Sequence, residues 1–292
     1  MCDQDTFQDA DEYLRRSGQW TRREFGAATM GMGLATLLPR LANAAELVST
    51  ELEVETPDGE ADCHFVHPST GVHPGVLIWP DALGLRTAFR QMASRLAESG
   101  YSVLVVNPYY RTKQAPILPE GADFSDEKTR ETVRSMMATL SAETQTTDAK
   151  ALVDFLDAQA SVDKGRKLGT TGYCMGGRMT LRAAAARPDR IGAAASFHGG
   201  GLVTDSPDSP HLLVPKIRAR YLFAIAENDD ERQPEAKNVL RETFAKADLP
   251  AEIEVYEGAL HGWCPPDSPV YNEAQAERAW SRLLALFGAA LA

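Results

Sequence analysis

The stretch that decides the fold is Leu168-Gly169-Thr170-Thr171-Gly172-Tyr173-Cys174-Met175-Gly176-Gly177. Leu168–Thr171 reads as a buried strand. Met175–Arg187 reads as a helix that Pro188 ends. Between them, Gly172-Tyr173-Cys174-Met175-Gly176 fits the pattern G-x-S-x-G with Cys in the Ser position. In that pattern a sharp strand-to-helix turn lifts a nucleophile above the edge of a sheet. Glycines are needed because the turn is tight and the backbone crowded. The sulfur then sits at a helix N-terminus, where the dipole and unpaired N–H groups favour a thiolate. The Met175 N–H can also donate to an oxyanion. A buried structural Cys at a Gly-rich helix start would look the same, so the rest of the chain must decide.

Downstream residues supply the partners that a nucleophile at this turn needs. The expected chain order is nucleophile, acid, base. Ala219–Ala226 reads as a strand, and Glu227-Asn228-Asp229-Asp230 follows it directly. A carboxylate just past a strand end can orient a histidine. Counting from the strand end favours Asp229, and counting back from Pro234 favours Asp230. Asp229 is taken as the acid, with Asp230 as the alternative. After the strand Ala251–Tyr256 comes Glu257-Gly258-Ala259-Leu260-His261-Gly262. His261, in a Gly-bounded loop before the last helix, is the expected base.

The remaining pattern alternates strand and helix. Leu47–Glu55 and Ala61–His67 flank the turn Pro57-Asp58-Gly59. Gly75–Trp79, Tyr101–Val106 and Ile191–Phe197 read as further strands. Thr87–Ser99, Ser125–Leu140, Ala142–Ala160, Glu235–Ala247 and Tyr271–Leu286 read as helices. Pro108 to Phe124 has no period and reads as a long loop. Such alternation predicts an α/β domain with a mostly parallel central sheet and helices on both faces. The continuous apolar runs Val76-Leu77-Ile78 and Val103-Leu104-Val105-Val106 fit strands buried on both sides. Ligands bind beyond the carboxyl ends of such strands, where Cys174, Asp229 and His261 all fall.

Composition narrows the function. The chain has 292 residues, 43% hydrophobic and 24% charged, which excludes disordered and fibrous classes. Its formal net charge of -11 argues against a nucleic-acid partner. Four Cys cannot form a disulfide scaffold at this length. No apolar run suffices for a stable membrane span. The first residues read as an address. Thr21-Arg22-Arg23-Glu24-Phe25 is a twin-arginine motif, Gly26 to Leu38 is apolar, and Ala42-Asn43-Ala44 fits signal peptidase. Residues 1–44 are thus expected to be a cleaved export signal, and residues 45–292 a single domain. The implied partners are the twin-arginine export machinery and signal peptidase, and the implied location is periplasmic or otherwise exported. Cys63, Cys174 and Cys264 would remain, an odd number, so one thiol should stay free or pair with another molecule.

On these motifs the chain resembles the dienelactone hydrolase family, the cysteine branch of the α/β-hydrolases, over about residues 47–288. The anchors are Gly-Tyr-Cys-Met-Gly-Gly at 172–177, Gly-Ala-Leu-His-Gly at 258–262 and Pro80-Asp81-Ala82-Leu83-Gly84. The resemblance implies an acid that interacts with the resting nucleophile, here Asp81, where the family usually has Glu. It implies a second oxyanion donor, the Ala82 N–H. It implies an arginine grip on a substrate carboxylate, matched by Arg111 in Asn107-Pro108-Tyr109-Tyr110-Arg111. A second family grip, a Ser and an Arg just after the catalytic His, is missing. Gly262, Trp263, Cys264 and Pro265 stand there, with Trp263 placed to pack over the site.

The expected activity is therefore hydrolysis of a small-molecule ester or lactone, with a carboxylate on the substrate. Cys174 attacks, His261 is the base, Asp229 orients it, and the path runs through a thioester. No metal or organic cofactor is implied. Cys63-His64-Phe65-Val66-His67 is no ligand set, because strand alternation sends His64 to the other face from Cys63 and His67. His198-Gly199-Gly200-Gly201 reads as a strand-exit loop. The rival functions are a non-catalytic binding protein on this fold and a thiol redox protein using Cys174 and Cys264.

Overall fold

The computed structural model describes residues 46–119, 122 and 126–291. The export signal read at residues 1–44 lies outside them. The first two strands, β1 (Leu47–Thr56) and β2 (Gly59–Pro68), form an antiparallel hairpin. Its turn uses Gly59 at φ +129°, a conformation closed to L side chains. The strand β3 (Gly75–Trp79) is buried throughout. Helix α1 (Thr87–Glu98) buries Ala88, Phe89, Met92, Ala93, Leu96 and Ala97, the spacing of one helical face. Gly100, at φ +92°, ends it and turns the chain into β4 (Ser102–Val106).

Two helices follow. Asp126 caps α2 (Glu127–Met137), and a Ser141–Thr144 capping box starts α3 (Ala142–Ala158). The decisive stretch forms β5 (Leu168–Tyr173) and α4 (Met175–Ala186). Then come β6 (Ile191–Phe197), a 3-10 segment (Pro210–Lys216) and β7 (Arg220–Ala226). Helices α5 (Glu227–Arg232) and α6 (Ala236–Lys246), strand β8 (Ala251–Tyr256) and helix α7 (Glu273–Ala290) complete the chain.

The eight strands form one sheet in the order β1-β2-β4-β3-β5-β6-β7-β8. Strand β2 pairs antiparallel with β1 and β4, and every later pair is parallel. Pleating divides the core. Leu77, Trp79 and Leu104 join a cluster with Leu152, Val153 and Met179 from α3 and α4. Val76, Ile78, Val103 and Val105 join the opposite cluster with Phe89 and Leu96 of α1 and Leu283 and Phe287 of α7. This is an α/β-hydrolase fold with helices on both faces, as the alternation predicts. Among the described residues no helix is long and apolar enough to cross a membrane.

Three details go beyond the sequence reading. The acidic run after β7 is itself a short helix, α5. The 3-10 segment had no sequence signal because Pro215 lies inside it. The first part of the loop after β4 is tied down by hydrogen bonds. Asn107 Nδ2 donates to Asp62 Oδ1 at 2.9 Å, and the Ala115 N–H donates to Asp62 Oδ2 at 2.7 Å.

The elbow between β5 and α4 is the tightest place in the fold. A Cβ on Gly172 would lie 2.1 Å from the Gly176 carbonyl oxygen, and one on Gly176 would lie 2.3 Å from that of Trp79. Both obstacles are backbone, so nothing yields cheaply. Gly176→Ala is expected to destabilise the protein by about 3 kcal/mol, the upper range for overpacking. Urea unfolding checks this, and an unchanged midpoint would refute the close-approach argument.

Candidate active site

Cys174 sits at the elbow in a strained conformation, φ 54° and ψ −117°. Its backbone is pinned on both sides. Its N–H donates to Phe197 O at 3.1 Å, and its carbonyl accepts from Gly177 and Gly200 at 3.1 and 3.2 Å. Strain of this kind persists only where the surroundings over-determine it, and it clusters at functional sites. Cys174 is disulfide-bonded in the structure. Cys63 and Cys264 are free and buried, so the Cys174–Cys264 pair of the redox alternative is not formed.

The His261 loop is docked by three consecutive residues at the start of α5. The Glu227 carboxylate accepts from the Gly258 N–H at 2.8 Å, while the Glu227 N–H donates to Ala259 O at 2.9 Å. Asn228 Oδ1 accepts from the His261 N–H at 2.9 Å. Asp229 Oδ2 lies 2.7 Å from His261 Nδ1. Asp230 pairs instead with Lys237 at 2.6 Å. The carboxylate at Nδ1 selects the tautomer whose Nε2 can accept a proton. Glu227 and Asn228 were missed by sequence reasoning. Their signal was their place between a strand end and the acid.

Behind His261 lies another imidazole that motif order did not flag. His198, at φ +40°, meets His261 edge-on with ring centroids 5.1 Å apart, and meets Trp263 at 5.0 Å. It is fully buried and neither ring nitrogen has a hydrogen-bond partner. Burial, then the neighbouring His261, pushes its pKa well below the ordinary 6.5. Trp263 does not cover the site as expected. It is 0% exposed and stacks on Tyr256 at 5.4 Å, so it packs behind the histidines.

On the other side of Cys174, Asp81–Gly84 forms a tight turn. The Gly84 N–H donates to Asp81 O and the Leu83 N–H to Asp81 Oδ1, both at 2.9 Å. Gly84 takes the left-handed φ of +74° that the turn requires. Ala82 is buried in it, and its carbonyl accepts from the Tyr109 hydroxyl at 3.0 Å. The same hydroxyl lies 3.2 Å from Met175 Sδ, bringing the two expected oxyanion residues together. The Asp81 carboxylate is turned toward Arg86, which donates two bonds to it at 2.7 and 3.0 Å. Arg86 donates two more to Asp267, at 2.6 and 2.9 Å. Asp81 is thus one end of a carboxylate–guanidinium–carboxylate bridge, not an acid turned to the nucleophile.

Arg111 is also engaged elsewhere. It donates to Asp148 at 2.6 and 2.9 Å and to Asp58 at 2.6 and 3.1 Å, and it lies over the Tyr110 ring. These contacts occupy the fork that would grip a substrate carboxylate.

The fold and this edge of the sheet define an α/β-hydrolase. Residues 62–291 match the model of the "Dienelactone hydrolase family", and the chain belongs to that family. A carboxymethylenebutenolidase of Rhodococcus opacus is 27% identical over 231 residues, covering 76% of this chain and 84% of that one. Two crystal structures share the fold. A dienelactone hydrolase-like promiscuous phosphotriesterase from metagenomic libraries has a TM-score of 0.69 at 22% identity, covering 84% of this chain and 99% of its own. A dienelactone hydrolase of Anabaena variabilis has a TM-score of 0.62 at 16% identity, with the same coverage.

Two outcomes follow from this geometry. Below pH 6.5 an unfolded His198 takes up a proton that the folded one refuses. The unfolded state then binds more protons, so stability falls as pH falls. One such group contributes a slope of up to about 1.4 kcal/mol per pH unit. His198→Asn should lower the slope of unfolding free energy between pH 6 and pH 5 by about that amount, and an unchanged slope would exclude His198 as its source. Arg111→Met leaves the buried Asp148 carboxylate with Tyr110 as its remaining partner. It should lose about 3 kcal/mol in urea unfolding, whereas a free substrate-gripping arginine would cost little.

Proposed function

We propose that the protein hydrolyses an ester or lactone of the carboxymethylenebutenolidase type with the triad Cys174, His261 and Asp229. The observation that carries this reading is the 2.7 Å contact of Asp229 with His261, at the same sheet edge as a strained elbow cysteine. His261 Nε2 takes the proton of the reduced Cys174 thiol, and the thiolate attacks the carbonyl carbon. The Met175 and Ala82 N–H groups hold the oxyanion, each such donor being worth about 10²–10³ in rate. Collapse expels the alkoxide or enolate, which takes the proton back from His261. Water, giving its proton to His261, then cleaves the thioester and restores the thiol. Asp229 keeps the imidazole oriented and stabilises its cation.

Asp81 takes no proton in this scheme. Its bridge to Arg86 and Asp267 holds the oxyanion turn instead. The substrate is a small molecule, and the twin-arginine signal at residues 1–44 would carry the folded domain to the periplasm. Fractionation of cells should find the shortened chain there, and retention of the full chain in the cytoplasm would refute the export reading.

Residues 45–292, purified under a reductant, should turn over a dienelactone or a neutral aryl ester such as 4-nitrophenyl acetate. Cys174→Ala should fall to the blank rate, and Asp229→Asn should lose about 10³–10⁴ in kcat. Asp230→Asn should lose less than threefold. Full activity of Cys174→Ala would sink the mechanism.

A further inference from the structure

Arg178 follows Cys174 by one helical turn on α4, and no ion pair among the described residues accounts for it. A cation in the first turns of a helix faces the positive end of the helix dipole. Arg182, four residues on, adds a like charge on the same face, which is also unfavourable. Yet Arg178 is half-buried with its Nε out of solvent and without a hydrogen-bond partner, and Asp208 acts on its charge from a distance without forming an ion pair, nor does any other carboxylate among the described residues. Arg182 has what acid there is, with the Asp208 carbonyl at 3.0 Å and its exposed carboxylate at 3.7 Å. A buried charge without a partner is costly. Local rules broken without compensation point to function.

Its position fits a site. Arg178 Nη1 lies 3.7 Å from where a Cβ on Gly201 would stand, in the loop whose Gly200 N–H holds the Cys174 carbonyl. Its charge also acts on the Tyr109 phenol, which joins Ala82 to Met175. Arg111 and Arg86, by contrast, each have two carboxylates already. We infer that Arg178 is the anion-binding residue of this site and that it grips a carboxylate carried by the ester or lactone. This rests on the Cys174 reading for where the scissile bond lies. A guanidinium fork offers a charge-assisted, bidentate contact to a carboxylate.

The test compares mono(4-nitrophenyl) succinate with 4-nitrophenyl pentanoate, one anionic and one neutral, on the reduced protein. In Arg178→Met the ratio of kcat/KM, anionic over neutral, should fall about 10- to 100-fold, mainly through KM. Arg178→Lys should recover part of it. Arg111→Met should leave the ratio within about twofold. A ratio unchanged in Arg178→Met, or lost in Arg111→Met instead, overturns the assignment. Calorimetry of the same esters with Cys174→Ala separates the two readings. If that variant still turns over substrate, the nucleophile is wrong. If it binds the succinate ester no tighter than the pentanoate ester, or equally well with Arg178→Met added, the anion site is wrong.

Discussion

Everything at this site hangs on one close approach of backbone to backbone. Helix α4 starts so near the ends of β3 and β5 that no side chain fits at Gly172 or Gly176. That contact forces the chain through a positive φ at Cys174. The same contact brings Met175 against the Asp81–Gly84 turn, with the Tyr109 hydroxyl linking the two. The placing of Cys174, of the Met175 N–H and of the turn that carries Ala82 is therefore the consequence of one packing constraint. Thr170 braces it from below, accepting from the Trp79 indole and donating to Leu77 O, each at 3.1 Å.

The histidine is placed differently. Cys174 is set by strain, whereas His261 is set by hydrogen bonds from a neighbouring element. Strands β7 and β8 are adjacent and parallel, so their exits stand side by side. The exit of β7 presents Glu227, Asn228 and Asp229 in succession, and each holds a different point of the loop after β8. Three contacts from one short helix fix the main chain as well as the ring. Asp229 thus meets a histidine whose position is already determined, the arrangement that pre-organisation requires. Neutral His198 fills the space behind His261 without adding charge.

The fold and the chain order of Cys174, Asp229 and His261 were legible because they obey local rules. Period, glycine spacing and strand exits are written in neighbouring residues. The choice between Asp229 and Asp230 stays open in the sequence, because counting from the strand end and counting back from Pro234 disagree; in the structure Asp229 meets His261 and Asp230 meets Lys237. The partners of Asp81 and Arg111 were not legible. Arg86 reaches Asp267, 181 residues away, and Arg111 reaches Asp148, 37 residues away. Ion pairs over such separations leave no period in a sequence. Trp263 was misread because an aromatic beside a catalytic loop looks the same whether it faces the substrate or the core. Arg178 was passed over because an arginine inside a helix is ordinary until its surroundings are known.

Charge at the sheet edge can be weighed group by group. The Arg86 cluster and the Arg111 cluster each hold one cation and two carboxylates, so each carries a net negative charge. Such clusters repel a carboxylate rather than hold it. Around Arg178 and Arg182 the balance is reversed, with two cations against Asp208 alone. The chain as a whole carries a charge of -11. Salt screens it beyond about 8 Å at physiological ionic strength. A partly desolvated cation such as Arg178 outweighs distant anions, because Coulomb interactions strengthen as the local dielectric falls. A site with its familiar arginine neutralised can thus remain selective for anions through a different one, provided that one is denied a partner of its own.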